Sequence, residues 1–416
     1  MSMFDRGYMS VSAPLRAART ANSVAFALQG FFLAVILTEL PQQRDRLGLT
    51  DTVILVAVVM ISGLAAGGSL LAERVALRWS SRVALRAGLL LIAVTGLGIA
   101  AAPNLVVDLI ALGCYGVAVG MVDAGTNMQA VFIQHGYGRF VLSSFYAAWS
   151  AGSILGALFV SGCEKAGITL PYAVAIAAVV VALAAAIFGP RLLGREQAEA
   201  HSGTPDRTTD VRDATAVPLR AYLALGIAMA LVFAIDLAVG NWSALYLTDD
   251  LLSSSATAAL ALAAYQGASL LTRLTGDWWV RRFGARAVVR VAATIGVAGL
   301  VLVVAAPGPV PALAGFLVAG LGLPVIAPLC FSEAGRLTDG SGLDAVIARL
   351  NLFNYAGTLI GGGVVGAVAD ASSLRAGFVI PLLFAAALIP TARFFRPRLP
   401  VNGDPADRSG RVVLDP

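Results

Sequence analysis

Long apolar runs, each about the length of a bilayer-crossing helix, alternate along the chain with short polar or basic segments. Twelve can be drawn, at 21–41, 51–72, 84–102, 105–132, 142–162, 171–189, 219–247, 255–276, 285–306, 310–332, 345–368 and 375–395. A spanning helix needs ~20 mostly apolar residues. Lipid offers no partner to an unpaired backbone group, so helix is the expected state of every run. The runs are too long and too uniformly apolar for barrel strands. The pattern predicts an all-α integral membrane protein with twelve transmembrane helices.

Composition strengthens this reading. The chain has 416 residues, of which 58% are apolar and 13% charged, and its mean hydropathy is +0.83. A soluble domain carries about 25% charged residues. Three cysteines and two histidines, with no CxxC pair, support neither a disulfide framework nor a metal site. The net charge of +5 would suit nucleic acid if it formed a patch. Instead, with the amino terminus inside, all basic residues except Arg44, Arg46, Lys165 and Arg375 fall on the cytoplasmic side. The positive-inside rule then puts both termini in the cytoplasm and implies no nucleic-acid partner. The amino-terminal stretch lacks a short apolar core with a cleavage site, so the first span is expected to be a retained anchor.

The longest polar stretch, "GPRLLGREQAEAHSGTPDRTTDVRDATAVPLR", reads as a flexible linker. It divides the chain into a segment 1–20, a six-helix bundle 21–189, a linker 190–218, a second bundle 219–395 and a tail 396–416. The bundles are related by a repeat at an offset of 204 residues. That offset pairs Glu73 with Asp277, Arg78 with Arg282, Trp79 with Phe283, Arg82 with Arg286 and Arg86 with Arg290. It also pairs Gly116 with Gly320, and after one insertion "AGSILG" at 151–156 matches "AGTLIG" at 356–361. Two parallel halves are expected to be pseudo-symmetric, with a solute site between them near the midplane.

"RLTGDWWVRRFGAR", 273–286, resembles the signature loop of the major facilitator superfamily, and "LLAERVALRWSSR" is its eroded first-half copy. "VDAGTNMQAV", "YGRFVLSSF", "NWSALYLTDD" and "FSEAGR" resemble the bacterial group that includes the rhizopine-associated (MosC-like) membrane proteins, with fucose permeases more distant. Tyr146 stands where members of that group usually have histidine. The resemblance implies the superfamily fold, a central cavity lined by spans one, four, seven and ten, and transport of a small-molecule solute.

Asp123 and Asp236 are the acids placed mid-span, and an ionised acid at the bilayer centre costs about 2.5–3.5 kcal/mol on insertion scales. Such residues face protein or a cavity, so both are candidates for binding a proton or solute. Helical spacing puts Asn127 on the face of Asp123. The alternative for Asp123 is a structural clamp to Asn127 and a neighbouring helix. No basic residue is placed mid-span to pair with either acid. Gln29, Tyr146, Trp149, Asn241, Trp242, Asn351, Asn354 and Tyr355 are the other candidates for ligand contact, each with packing as its plainer role. Glu39 and Glu333 read as interfacial. Glu73, Arg78, Arg82, Asp277, Arg282 and Arg286 read as a latch at the cytoplasmic mouth, with Asp277 pairing to Arg282 or Arg286. Gly113, Gly116 and Gly120, and Gly361, Gly362, Gly363 and Gly366, read as helix-packing surfaces.

The function expected is secondary active transport of a sugar-like or other polar solute by alternating access, driven by the proton gradient and requiring no cofactor. The protein is expected to be a monomer in the bacterial inner (plasma) membrane. Walker-type motifs are absent. Span five lacks the Gly-Pro of drug antiporters, which leaves proton-driven export of a drug or metabolite as the alternative. A sensor would not need buried acids. An enzyme is disfavoured because His135 and His201 both fall in cytoplasmic segments.

Overall fold

The computed structural model describes residues 11–201, 218–338 and 342–397. The rest of the segment 1–20, the linker and the tail lies outside the described residues. The helices are α1 (Ala13–Leu47), α2 (Asp51–Arg78), α3 (Ser81–Ala101), α4 (Leu105–Tyr137), α5 (Leu142–Lys165) and α6 (Leu170–Phe188). In the second half they are α7 (Leu219–Asp250), α8 (Ser255–Phe283), α9 (Ala285–Ala305), α10 (Pro309–Gly335), α11 (Leu343–Ala371) and α12 (Leu374–Phe394). No strand occurs among the described residues.

Local chemistry sets where these helices start. Thr50, Ser80, Asn104, Ser254 and Ser373 each accept a hydrogen bond from a first-turn amide, at 3.1–3.3 Å. They satisfy donors that a helix leaves unpaired at its start. Leu90, Val94, Ile110, Leu155, Leu183 and Ile187 are exposed. Such an apolar exterior suits hydrocarbon rather than water.

Among the described residues, eleven helices are long and apolar enough to cross a membrane. The twelfth, α8, is as long but more polar, carrying Tyr265, Gln266, Ser269, Arg273 and Asp277 along its length. The expected spans hold, with two differences. α1 begins at Ala13 and runs to Leu47, well past the apolar run. α10 is broken by a 3-10 turn at Leu323–Val325, because Pro324 cannot donate to an α-helical ladder. The linker also departs from expectation at its start. Residues Arg195–His201 are helical, and Gln129 on α4 exchanges two 2.9 Å hydrogen bonds with the backbone of Leu193.

Packing repeats between halves. α1 lies on α5, α2 and α3 on α4, and α3 on α6; in the second half α7 lies on α11, α8 and α9 on α10, and α9 on α12. The halves meet through α2 on α11 and α5 on α8, with α4 and α10 behind. Odd-numbered helices begin, and even-numbered ones end, at one common end of the bundle, the basal end.

Glycines make the seams within each half. A Cβ at Gly116 would collide with the carbonyl of Ile61, one at Gly120 with that of Ala65, and one at Gly361 with that of Ala234. At Gly363, on the same helix, a Cβ would meet open space. Gly361→Ala should therefore destabilise the detergent-purified protein by ~1–3 kcal/mol through overpacking. Gly363→Ala should be neutral or slightly stabilising. Thermal unfolding of the two variants checks this; equal effects would mean the seam is not close-packed.

Candidate functional site

At the basal end, acids at matching repeat positions each tie one half to the other. Glu73, at the end of α2, accepts from Arg349 of α11, with Nη2 at 2.7 Å from Oε1 and Nε at 3.1 Å from both oxygens. Asp277, at the end of α8, accepts the backbone N–H of Ser143 at 2.9 Å, in the first turn of α5. A carboxylate there satisfies an unpaired helix donor and opposes the helix dipole. Arg281 adds a bond to the carbonyl of Phe140 at 3.1 Å. The latch expected within the loop does not form: Arg286 instead donates to the carbonyls of Phe395 and Arg393, at 2.9 and 3.0 Å. Arg282 lies over the Phe283 ring and Arg78 over the Trp79 ring. Arg82 packs beside Gly194. The reason is geometric. Asp277 and Arg281 face across the gap between halves, while Arg282 and Arg286 turn away from Asp277.

Deeper in the bundle, the Asp123 carboxylate accepts from Gln29 of α1 on one oxygen and from the Tyr355 hydroxyl of α11 on the other. Asp123 thus bridges three helices and both halves. Asn127 does not clamp the carboxylate. Its amide donates to the Asp123 backbone carbonyl at 2.9 Å, and its oxygen accepts the Tyr146 hydroxyl at 3.0 Å. Asn351 donates to Ser69 of α2 at 3.0 Å, and Asn354 follows at 3.5 Å from Asn351. Gln29 and Asn127 are each only 4% exposed, so these amides have exchanged water for protein partners.

Asp236 of α7 accepts from the Tyr265 hydroxyl of α8. It also faces a cation that the charge count assigned to the cytoplasmic side. Arg273 lies inside α8, 7% exposed, with Nη2 3.9 Å from Asp236 and Nη1 donating to Ser150 of α5 at 2.7 Å. Its guanidinium lies 5.9 Å from the Tyr146 ring centre and 5.8 Å from that of Trp149. The expectation that no basic residue accompanies the buried acids is therefore overturned. The span drawn at 255–276 holds Arg273 in its last turn, and the charge count gave it to the cytoplasmic side, whereas α8 continues unbroken to Phe283 and keeps Arg273 well inside the helix. A signal was present: the repeat offset pairs Arg273 with Ser69, inside span two.

Other candidates fall elsewhere. Asn241 and Trp242 lie about one and a half turns beyond Asp236, roughly 8–9 Å along the helix, with Trp242 packed against Gly366 of α11. Glu333 is buried rather than interfacial and is bonded by Arg336 at 3.3 Å. Glu39 lies on α1, with its side chain outside the described residues.

Twelve helices in two matched halves, joined by a polar layer, can be set beside known proteins. The sequence model of the Major Facilitator Superfamily matches residues 222–414. Transporter y4wD of Sinorhizobium fredii is 30% identical over 297 residues, covering 71% of this chain and 76% of that protein. The chain belongs to the major facilitator superfamily. It is a multi-pass membrane transporter, and members of this superfamily bind small solutes within the membrane. Membrane protein MosC of Rhizobium meliloti is 25% identical over 357 residues, covering 85% of this chain and 84% of its own. The Escherichia coli fucose:proton symporter FucP shares the fold, with a TM-score of 0.67 at 18% identity, covering 92% of this chain and 99% of its own.

Reversing the Glu73–Arg349 pair tests the basal tie of this superfamily member. In a cysteine-free background, Glu73→Arg or Arg349→Glu should raise labelling of Ala72→Cys about fivefold, the shift for ~1 kcal/mol. The double variant should return it toward the starting rate. Unchanged labelling in the single variants would deny the pair a gating role.

Proposed function

We propose that this protein is a proton-coupled secondary transporter of a small polar solute, working by alternating access, and that Asp123 is its central titratable group. The observation that carries the reading is the Asp123 carboxylate, held by Gln29 from its own half and Tyr355 from the other. When the halves separate around this layer, Asp123 loses the Tyr355 donor, and a change of donors changes how readily a carboxyl group holds its proton. Proton uptake and the movement of the halves are thereby the same event. The remaining lining is hydroxyls, amides and the half-buried Trp149, which suits a hydroxylated solute. FucP is a fucose:proton symporter with the same fold, which is in keeping with this reading.

The distribution of basic residues places the basal end, with both termini, in the cytoplasm. The bacterial relatives favour the inner membrane, and a monomer suffices for the site. The ties at the basal end then close the cytoplasmic side, leaving the cavity to open outward.

A thermal-shift screen of the detergent-purified protein with sugars, inositols, amino sugars, sugar acids and hydrophobic drugs tests the reading. A polar compound should stabilise the wild type, and Asp123→Asn should reduce that stabilisation. In liposomes enclosing a pH-sensitive dye, the same compound should drive proton movement in the wild type and at most a tenth of that rate in Asp123→Asn. Stabilisation by drugs alone would point to an exporter. Equal behaviour of the variant would leave Asp123 a structural clamp.

A further inference from the structure

We propose that Arg273 is an anion-binding residue of the central cavity, so that the transported solute carries a carboxylate or a comparable monoanionic group. The inference rests on the reading of this cavity as the solute site. It starts from a contrast between two arginines. Arg349 holds Glu73 with three contacts of 2.7–3.1 Å, the fork geometry of a completed guanidinium–carboxylate pair. Arg273 is far more buried yet far less satisfied. Its nearest carboxylate oxygen, on Asp236, is 3.9 Å away, and Nη1 spends its bond on the neutral hydroxyl of Ser150. Its Nε is buried and finds no acceptor among the described residues.

A buried charge left this incomplete is costly, and burying it serves little purpose for stability alone. A planar guanidinium with five donors is built to receive a carboxylate edge-on. Tyr146 and Trp149 of α5 flank it, which fixes the plane and keeps water away. Asp236 is turned aside to the Tyr265 hydroxyl, so it balances the charge without closing the fork. A solute carboxylate can take that edge while its hydroxylated body reaches the amides of the Asp123 layer.

Charge counting links this binding to protons. The titratable groups clustered around the two acids are Asp123 from α4, Tyr146 from α5, Asp236 from α7, Tyr265 and Arg273 from α8, Cys330 from α10 and Tyr355 from α11. With both acids ionised and Arg273 charged, the cavity carries one net negative charge and repels an anion. One proton on Asp236 brings it to neutrality and releases the guanidinium. Because the protonated cavity is the form that binds, acid affinity should rise as pH falls.

The test compares solutes that differ only in the acid group: glucose with glucuronate, galactose with galacturonate, and propane-1,2-diol with lactate. Binding to the full-length, detergent-purified chain is read by thermal shift in the wild type, Arg273→Gln, Arg273→Lys and Asp236→Asn. The expected result is that at least one acid binds the wild type tenfold or more tightly than its neutral partner. This advantage should grow from about pH 8 to about pH 6. Arg273→Gln should erase the advantage. Arg273→Lys, which keeps the charge but loses the fork, should fold even if Arg273→Gln does not, and should weaken the acid selectively. Asp236→Asn should bind the acid with a flattened pH dependence. Neutral partners binding as tightly as the acids, in wild type and Arg273→Gln alike, would overturn the inference. Proton-coupled transport through Asp123 would then still stand. A panel in which no acid shifts the wild type would also overturn it.

Discussion

A carboxylate inside a bilayer span cannot fall back on water, and Asp123 meets that constraint with donors from two other helices. One donor belongs to its own half and the other to the opposite half. The bond that makes the acid tolerable also joins the moving parts. A rearrangement that parted α4 from α11 would change the donors around the carboxylate, which is the link that the proposed proton coupling relies on. The same logic extends to Asp236, whose partners on α8 bring it toward α5 through Arg273 and Ser150.

Two kinds of contact divide the labour. Within each half, glycines let backbones approach so closely that a methyl group would collide, as at Gly120 against α2 and Gly361 against α7. Such seams are dispersion contacts, intolerant of displacement. Between the halves the basal end adds polar ties to close packing at Gly276 and Gly335: Glu73 with Arg349, Asp277 and Arg281 with the start of α5, and Gln134 with Ser332 at 2.7 Å. Polar ties at an accessible end can be exchanged for water at little cost. Such an arrangement suits the alternating access proposed above.

The frame is duplicated but the chemistry is not. At the repeat offset Asp123 falls opposite Ala327, Asp236 opposite Phe32, and Arg273 opposite Ser69. The basal ties kept their symmetry, because both copies of α2 and α8 must close against an α11 or α5 helix start. The residues around Asp123 and Asp236 are not symmetric, as the proposed solute site allows, because a solute need not be two-fold symmetric.

By itself the sequence determined the number of spans, their order, the repeat and the two buried acids. These are written in local hydropathy and in the cost of a lone acid among apolar residues, both of which survive translation into a string. It also put Gln29, Tyr146, Trp149, Asn351, Asn354 and Tyr355 among the candidates, and the structure gathers them in one layer. Only the tertiary structure decided the partners. Asp123 and Tyr355 are 232 residues apart, and Asp277 reaches a backbone amide 134 positions away. Arg273 stayed hidden because it lies near the end of the drawn span, where an arginine reads as a cytoplasmic topology signal. α8 carries it inward because α5 and α7 supply a hydroxyl, two aromatic faces and a carboxylate around it. No periodicity in α8 records those neighbours, since they are contributed by other helices.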